Sequence, residues 1–132
     1  MISLLGYFGG VVDRPSHKEL NTKLHAALSA VRENRIKLVE PRVISAHALQ
    51  LGYSIRHELQ QVLLDLLDNT GPEHYAGQRP PQKSYQACIQ NHDLWAFSLN
   101  CPTFEHCVYY KFSLRNNFFY LVSLHVSTSA AD

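Results

Sequence analysis

The sequence predicts an α+β fold in which N-terminal helices pack on a C-terminal antiparallel β-sheet meander. Two observations carry this. Leucines recur at helical spacing behind two capping serines, Ser16 and Ser54, in the first half of the chain. The last fifty residues are instead rich in aromatic and β-branched side chains, which suit a pleated, half-buried surface. Helical and extended segments are thus segregated along the chain, the α+β arrangement.

The elements follow in order. Ile2 to Phe8 is apolar and reads as a short strand ended by Gly9-Gly10. Ser16-His17-Lys18-Glu19 fits a capping box, and Leu20, Leu24, Ala27, Leu28 and Val31 follow it on one helical face. The first helix is therefore expected from about Ser16 to Asn34. Ile36 to Val39 is a short extended piece stopped by Pro41. Ser45 to Leu51 reads as a short helix with Gly52 as its C-cap. Ser54 caps a third helix, expected over 54–68, that buries Leu59, Val62, Leu63, Leu66 and Leu67. Thr70 to Gln82 is a Gly/Pro-rich loop long enough to suggest a function. Tyr85 to Ile89 and Asp93 to Leu99 read as strands around the turn Gln90-Asn91-His92, and Asn100 to Glu105 leads to the final hairpin.

That hairpin, His106 to Val126, turns at Arg115-Asn116-Asn117. A three-residue loop with Asn117 in the left-handed conformation sets Leu114 against Phe118. Val108, Tyr110 and Phe112 then face Leu124, Val122 and Tyr120 in one apolar layer. The other face carries Cys107 opposite His125, Tyr109 opposite Ser123, and Lys111 opposite Leu121. A two-residue loop would shift the pairing by one and turn polar groups into the core. An imidazole, a phenol and an ammonium group thus share one face, with diagonal neighbours roughly 7–8 Å apart.

Composition narrows the function classes. At 132 residues, 45% hydrophobic and 17% charged, the chain is expected to form a single globular domain over 1–132. No apolar run reaches the ~18–20 residues needed to cross a bilayer, so no membrane partner is expected. Met1 to Val12 lacks the basic start and small-residue cleavage site of a signal peptide, so a cytoplasmic location is expected. Cysteine occurs 3 times, an odd number that speaks against a disulfide framework. A net charge of +1 is a weak electrostatic footprint for a nucleic-acid binder, although 8 histidines add charge below about pH 6.5.

Several motifs, taken together, resemble a known family. They are Ala48 to Gly52 (ALQLG), His74-Tyr75 after the third helix, Asp93-Leu94-Trp95, Val108-Tyr109-Tyr110-Lys111 and Val122-Ser123-Leu124-His125. From about Ser16 onward the chain resembles the MqsR-type toxins of the RelE superfamily, small bacterial mRNA interferases of toxin–antitoxin systems. The resemblance implies a RelE-like fold, endoribonuclease activity without a cofactor, and RNA and an antitoxin protein as partners. The family's strand tyrosine falls on Tyr109, and its basic residue on the last strand falls on His125, a Lys-to-His change. Its Gln beside the strand Trp falls on Ala96 and its Lys after the loop aromatic pair on Ala76. Arg79 or Lys83, in the loop, could replace that missing cation.

Metal-free RNA cleavage needs a base for the ribose 2′-hydroxyl, a cation for the phosphorane and an acid for the leaving 5′-oxygen. His125 suits base or acid work near neutral pH. Lys111, with Arg79 or Lys83, supplies positive charge, and Tyr109 can orient a phosphate oxygen, stack on a base or act as a weak acid. Tyr75 can stack on a base or simply pin the loop. The catalytic candidates are therefore His125, Tyr109 and Lys111, and the RNA-binding candidates Arg79, Lys83 and Tyr75. No metal site is expected. Cys101, His106, Cys107 and His92 have zinc-type side chains, but their spacing fits no zinc motif. A Cys107–His125 nucleophile pair lacks an evident orienting group. The competing class is a non-catalytic protein-interaction module on the same scaffold.

Overall fold

A computed structural model describes residues 14–127. Three helices come first: α1 His17–Arg32, α2 Pro41–Leu51 and α3 Ile55–Asp68. The strands are β1 Ile36–Leu38, between α1 and α2, then β2 Trp95–Asn100, β3 Cys107–Arg115 and β4 Phe118–Val126. The α+β class holds, but the sheet is mixed rather than a purely antiparallel meander. Its order is β1-β4-β3-β2, with β1 parallel to β4 and the other pairs antiparallel. The expected strand at Ile2 to Phe8 lies outside the described residues.

Local chemistry accounts for the helices. Ser16 Oγ accepts from the Glu19 amide at 3.0 Å, and Ser54 Oγ from the His57 amide at 3.2 Å. Glu19 does not close its box; its carboxylate takes Arg14 instead. Glu58 accepts from the Ser54 amide at 2.7 Å. Pro41 opens α2 rather than only stopping the piece before it, because a first-turn residue has no helical partner for its missing N–H. Gly52 ends α2 in the left-handed conformation, φ 81°.

The inner face of the sheet holds the main core. Trp95, Phe97, Tyr110, Phe112, Phe119, Leu121 and Leu124 pack against Leu20, Leu24 and Val31 of α1 and Leu59, Leu63 and Leu66 of α3. Fully burying each large side chain is worth roughly 1.5–3 kcal/mol. Tyr110 keeps its hydroxyl satisfied by Thr70 Oγ at 2.8 Å, which also anchors the loop after α3. A smaller cluster of Ile89, Leu94 and Tyr120, edged by Val39, Phe118 and Val122, covers part of the outer face.

The hairpin corrects the expected register. The loop has two residues, Asn116 (φ 51°) and Asn117 (φ 66°), with Arg115 paired to Phe118. Two positive φ angles make the tight turn that matches strand twist, and Asn tolerates both. Phe119 and Leu121 point inward, where Phe118 and Tyr120 were expected. The pairing then shifts: Phe112 faces Leu121, but Lys111 faces Ser123, leaving Val122 as a bulge. Beyond it Tyr110 faces Leu124 and Tyr109 faces His125, so the polar set stays on the outer face. The objection to a two-residue loop assumed unbroken pairing, and the bulge removes it.

Tyr85 to Ile89 is not a strand. Tyr85 is 90% exposed, and Ala87–Ile89 forms a single tight turn of 3-10 helix. The segment from Tyr75 to Asp93 instead runs along the open edge of β2. It is stitched to β2 by Ala76 N–H to Ala96 O at 2.8 Å and the bridge Tyr75–Phe97, and closed on its own far end by Leu94 N–H to Gln82 O at 2.8 Å and the bridge Lys83–Asp93. No helix among the described residues is long and apolar enough to cross a membrane.

Candidate functional site

The outer face beyond the bulge is where the polar strand residues gather. Tyr109 and His125 are directly opposite, with ring centroids 5.2 Å apart and planes at 24°, a stacked pair. The expected opposition of Cys107 to His125 is not formed: β3's Cys107 pairs with Asn100 of β2, and its thiol lies 3.4 Å from Ser98 Oγ. Lys111 sits two residues along β3 from Tyr109, between Ala96 and Ser123 on its neighbours. Alternation along β3 places Tyr109 and Lys111 on one side.

Beside this trio lies a cleft of about 270 Å³. Tyr109, Lys111 and Ala96 form its floor, and Ala76, Gly77, Gln78 and Gln82 of the edge segment its wall. Lys111 is the one cationic side chain in that lining. Gly77 is required there: a Cβ would come within 2.6 Å of the Tyr75 hydroxyl.

Electrostatics separates the candidates. Burial pushes the Tyr109 phenol above its ordinary range, so it stays protonated at neutral pH and serves as a hydrogen-bond donor. His125 Nδ1 lies 2.8 Å from the Val126 carbonyl. Donation from Nδ1 to that oxygen leaves Nε2 as the basic nitrogen of the neutral ring. Lys111 makes no ion pair among the described residues.

The loop candidates are placed differently. Lys83 is 2.6 Å from Asp93, which also takes Arg14 at 3.1 Å. Burial opposes ionisation of Asp93, but the hydrogen bonds from Lys83 and Arg14 outweigh it and hold the carboxyl below its usual value. Arg79 donates to the Pro15 carbonyl at 3.2 Å and stacks over the Tyr75 ring at 5.1 Å. Tyr75 meets Phe97 edge-on, and its hydroxyl donates to the Gln78 carbonyl. These three side chains brace the edge segment and do not line the cleft.

One neighbour was not singled out from sequence. His47 of α2 lies with its ring 5.0 Å from that of His125, tilted by 55°. Only its place in the A-x-x-L-G helix was visible in sequence; the packing of α2 against β4 brings it to the site.

Among the described residues no group of three or more His, Cys, Asp or Glu side chains is placed to hold a metal ion. A larger cleft of about 610 Å³ runs between α2 and α3, past Leu49, Tyr53 and Ile55. Its lining holds no cation or imidazole, and its one carboxylate, Glu58, is engaged in capping α3. Of these two clefts, the smaller outer-face one is where a cation and a phenol line the same space. Compared with protein families, curated proteins and solved structures, the chain matches none.

Proposed function

We propose that this chain is a toxin-like endoribonuclease on a RelE-like scaffold, acting on RNA in the cytoplasm and neutralised by an antitoxin protein. The observation that carries the reading is the stacking of His125 on Tyr109, which with Lys111 lines the adjoining cleft. The four positions that the MqsR resemblance marks are Ala76, Ala96, Tyr109 and His125. They come from four different segments and meet on one side of the sheet. Ala76 and Ala96 line the cleft itself, so it occupies the space that longer polar side chains would fill.

In this mechanism His125 Nε2 takes the proton of a ribose 2′-hydroxyl, whose oxygen attacks the adjacent phosphorus. Lys111 balances charge on the phosphorane, and the Tyr109 hydroxyl donates to a phosphate oxygen. The P–O5′ bond breaks as O5′ takes up a proton from a second donor, leaving a 2′,3′-cyclic phosphate and a 5′-hydroxyl. With Lys83 and Arg14 tied to Asp93, neither is free to extend an RNA track from the cleft. That favours a short substrate contact, and it also supports the second reading, a non-catalytic protein-interaction module.

Incubating labelled RNA with the protein separates the two. Cleavage is expected to survive EDTA and leave cyclic or 3′-phosphate ends. His125→Ala is expected to lower it about 10²–10⁴-fold, as loss of a proton-transfer group does. With His125 as base, the rate rises with pH; a fall with rising pH would assign it the acid or cationic role. Absence of cleavage at any pH supports the interaction module, and abolition by chelator with recovery on zinc overturns the metal-free mechanism.

A further inference from the structure

We infer that His47 is the second proton-transfer group of this site, working with His125 as an acid–base pair. The inference rests on the ribonuclease reading above and deepens it. Cleavage by 2′-hydroxyl attack uses a base and an acid in the same turnover, and the described trio offers only one imidazole. His47 supplies the other. Its ring centroid is 5.0 Å from that of His125, held by α2 where it covers β4 beyond the bulge.

Two observations point beyond packing. The Nδ1 atom of His47 is buried and has no hydrogen-bond partner among the described residues. That nitrogen is sealed from solvent and cannot itself meet a substrate, so proton exchange falls to Nε2 of the ring. The ring as a whole is only half-buried, so part of it still meets solvent. A histidine kept solely for helix packing would gain nothing over an apolar residue at such a position.

The two rings divide the work of one turnover, one as base and the other as acid. On this side of β3 the titratable groups are Tyr109, Lys111 and Cys107; β2 contributes Ala96 and Ser98, and the cleft wall Gly77, Gln78 and Gln82, while Lys37 of β1, Tyr120 and Asp93 belong to the other half of the outer face. The neutral imidazole takes the 2′-hydroxyl proton as the O2′–P bond forms. The imidazolium gives its proton to O5′ as the P–O5′ bond breaks. The two rings have then exchanged protonation states, and exchange with solvent resets them.

Two measurements test this. The first follows the imidazole ring signals of His47 and His125 in the wild-type protein by NMR as an uncleavable 2′-deoxy oligonucleotide is added, which needs no variant to fold. Both rings are expected to shift together; an unmoved His47 signal beside a moved His125 signal overturns its place at the site. The second is the pH–rate profile on RNA. A bell is expected for wild type, and His47→Gln should lose one limb and about 10²–10⁴-fold in rate. A wild-type enzyme that cleaves RNA, with His47→Gln retaining both limbs and full rate, overturns the role of His47 alone. A wild type that never yields cyclic phosphate ends removes the ribonuclease reading, and the acid–base pair with it.

Discussion

At the scale of single residues, Tyr53 illustrates how a buried polar atom betrays a position. The residue is 8% exposed, its ring meets Phe104 edge-on, and its hydroxyl has no partner among the described residues. Burial pushes the phenol up to about 12. Tyr53→Phe removes an unsatisfied hydroxyl without opening a cavity, so stability is expected to rise by about 1 kcal/mol, read as a higher midpoint in urea unfolding. A lower midpoint would show that the hydroxyl is solvated through the neighbouring cleft. Tyr110 is the contrast: its hydroxyl is paired with Thr70, and Tyr110→Phe should destabilise. Sequence separated the two strand tyrosines by alternation alone, and Tyr110 is indeed buried while Tyr109 is half-exposed. It could not find His47, because the relevant fact is a helix-to-strand distance and not a spacing along the chain.

At the scale of elements, helices were read well and strand pairings less so. A helix carries its start signal within four residues, as at Ser16 and Ser54, so α1 and α3 begin within a residue of expectation. A three-residue parallel strand such as β1 carries no such local signal; its partner lies some eighty residues away. The segment from Tyr85 to Ile89 shows the converse error, since apolar content alone does not make a strand when backbone partners are already used by Ser84 and His92. The edge segment is the element whose shape depends on one glycine. At Gly77 an added Cβ would meet the Tyr75 ring at 2.6–3.0 Å, so the ring must swing and release the Gln78 carbonyl. Gly77→Ala is expected to destabilise by roughly 1 kcal/mol and to change the near-ultraviolet signal of the tyrosines. An unchanged signal would mean that the loop gives way instead.

At the scale of the whole molecule, the outer face is divided between two tasks. Its lower half is sealed by Ile89 and Leu94 against Tyr120, and its upper half is left to Tyr109, Lys111 and His125. Asp93 ties the divide together by pairing with Arg14 ahead of α1 and Lys83 in the edge segment. Because its carboxyl titrates below the ordinary 3.8 in the folded state, it stabilises fully above that value, and the contribution fades as pH falls through the lower folded value. Asp93→Asn should therefore lower the melting temperature at pH 7 and narrow its difference from wild type toward pH 2; a constant difference would put the effect in packing rather than charge. The bulge at Val122 has the widest reach. It falls just past the last residue that β1 pairs, where β4 exchanges a strand neighbour for α2. Since Phe112–Leu121 and Lys111–Ser123 are both kept in pairs, Val122 is a spare link, and deleting it leaves every other residue of β4 facing its proper side. Val122 is thus an expendable link: its deletion should leave the chain folded by circular dichroism with His125 still opposite Tyr109, and a loss of the fold would show that the bulge itself is needed.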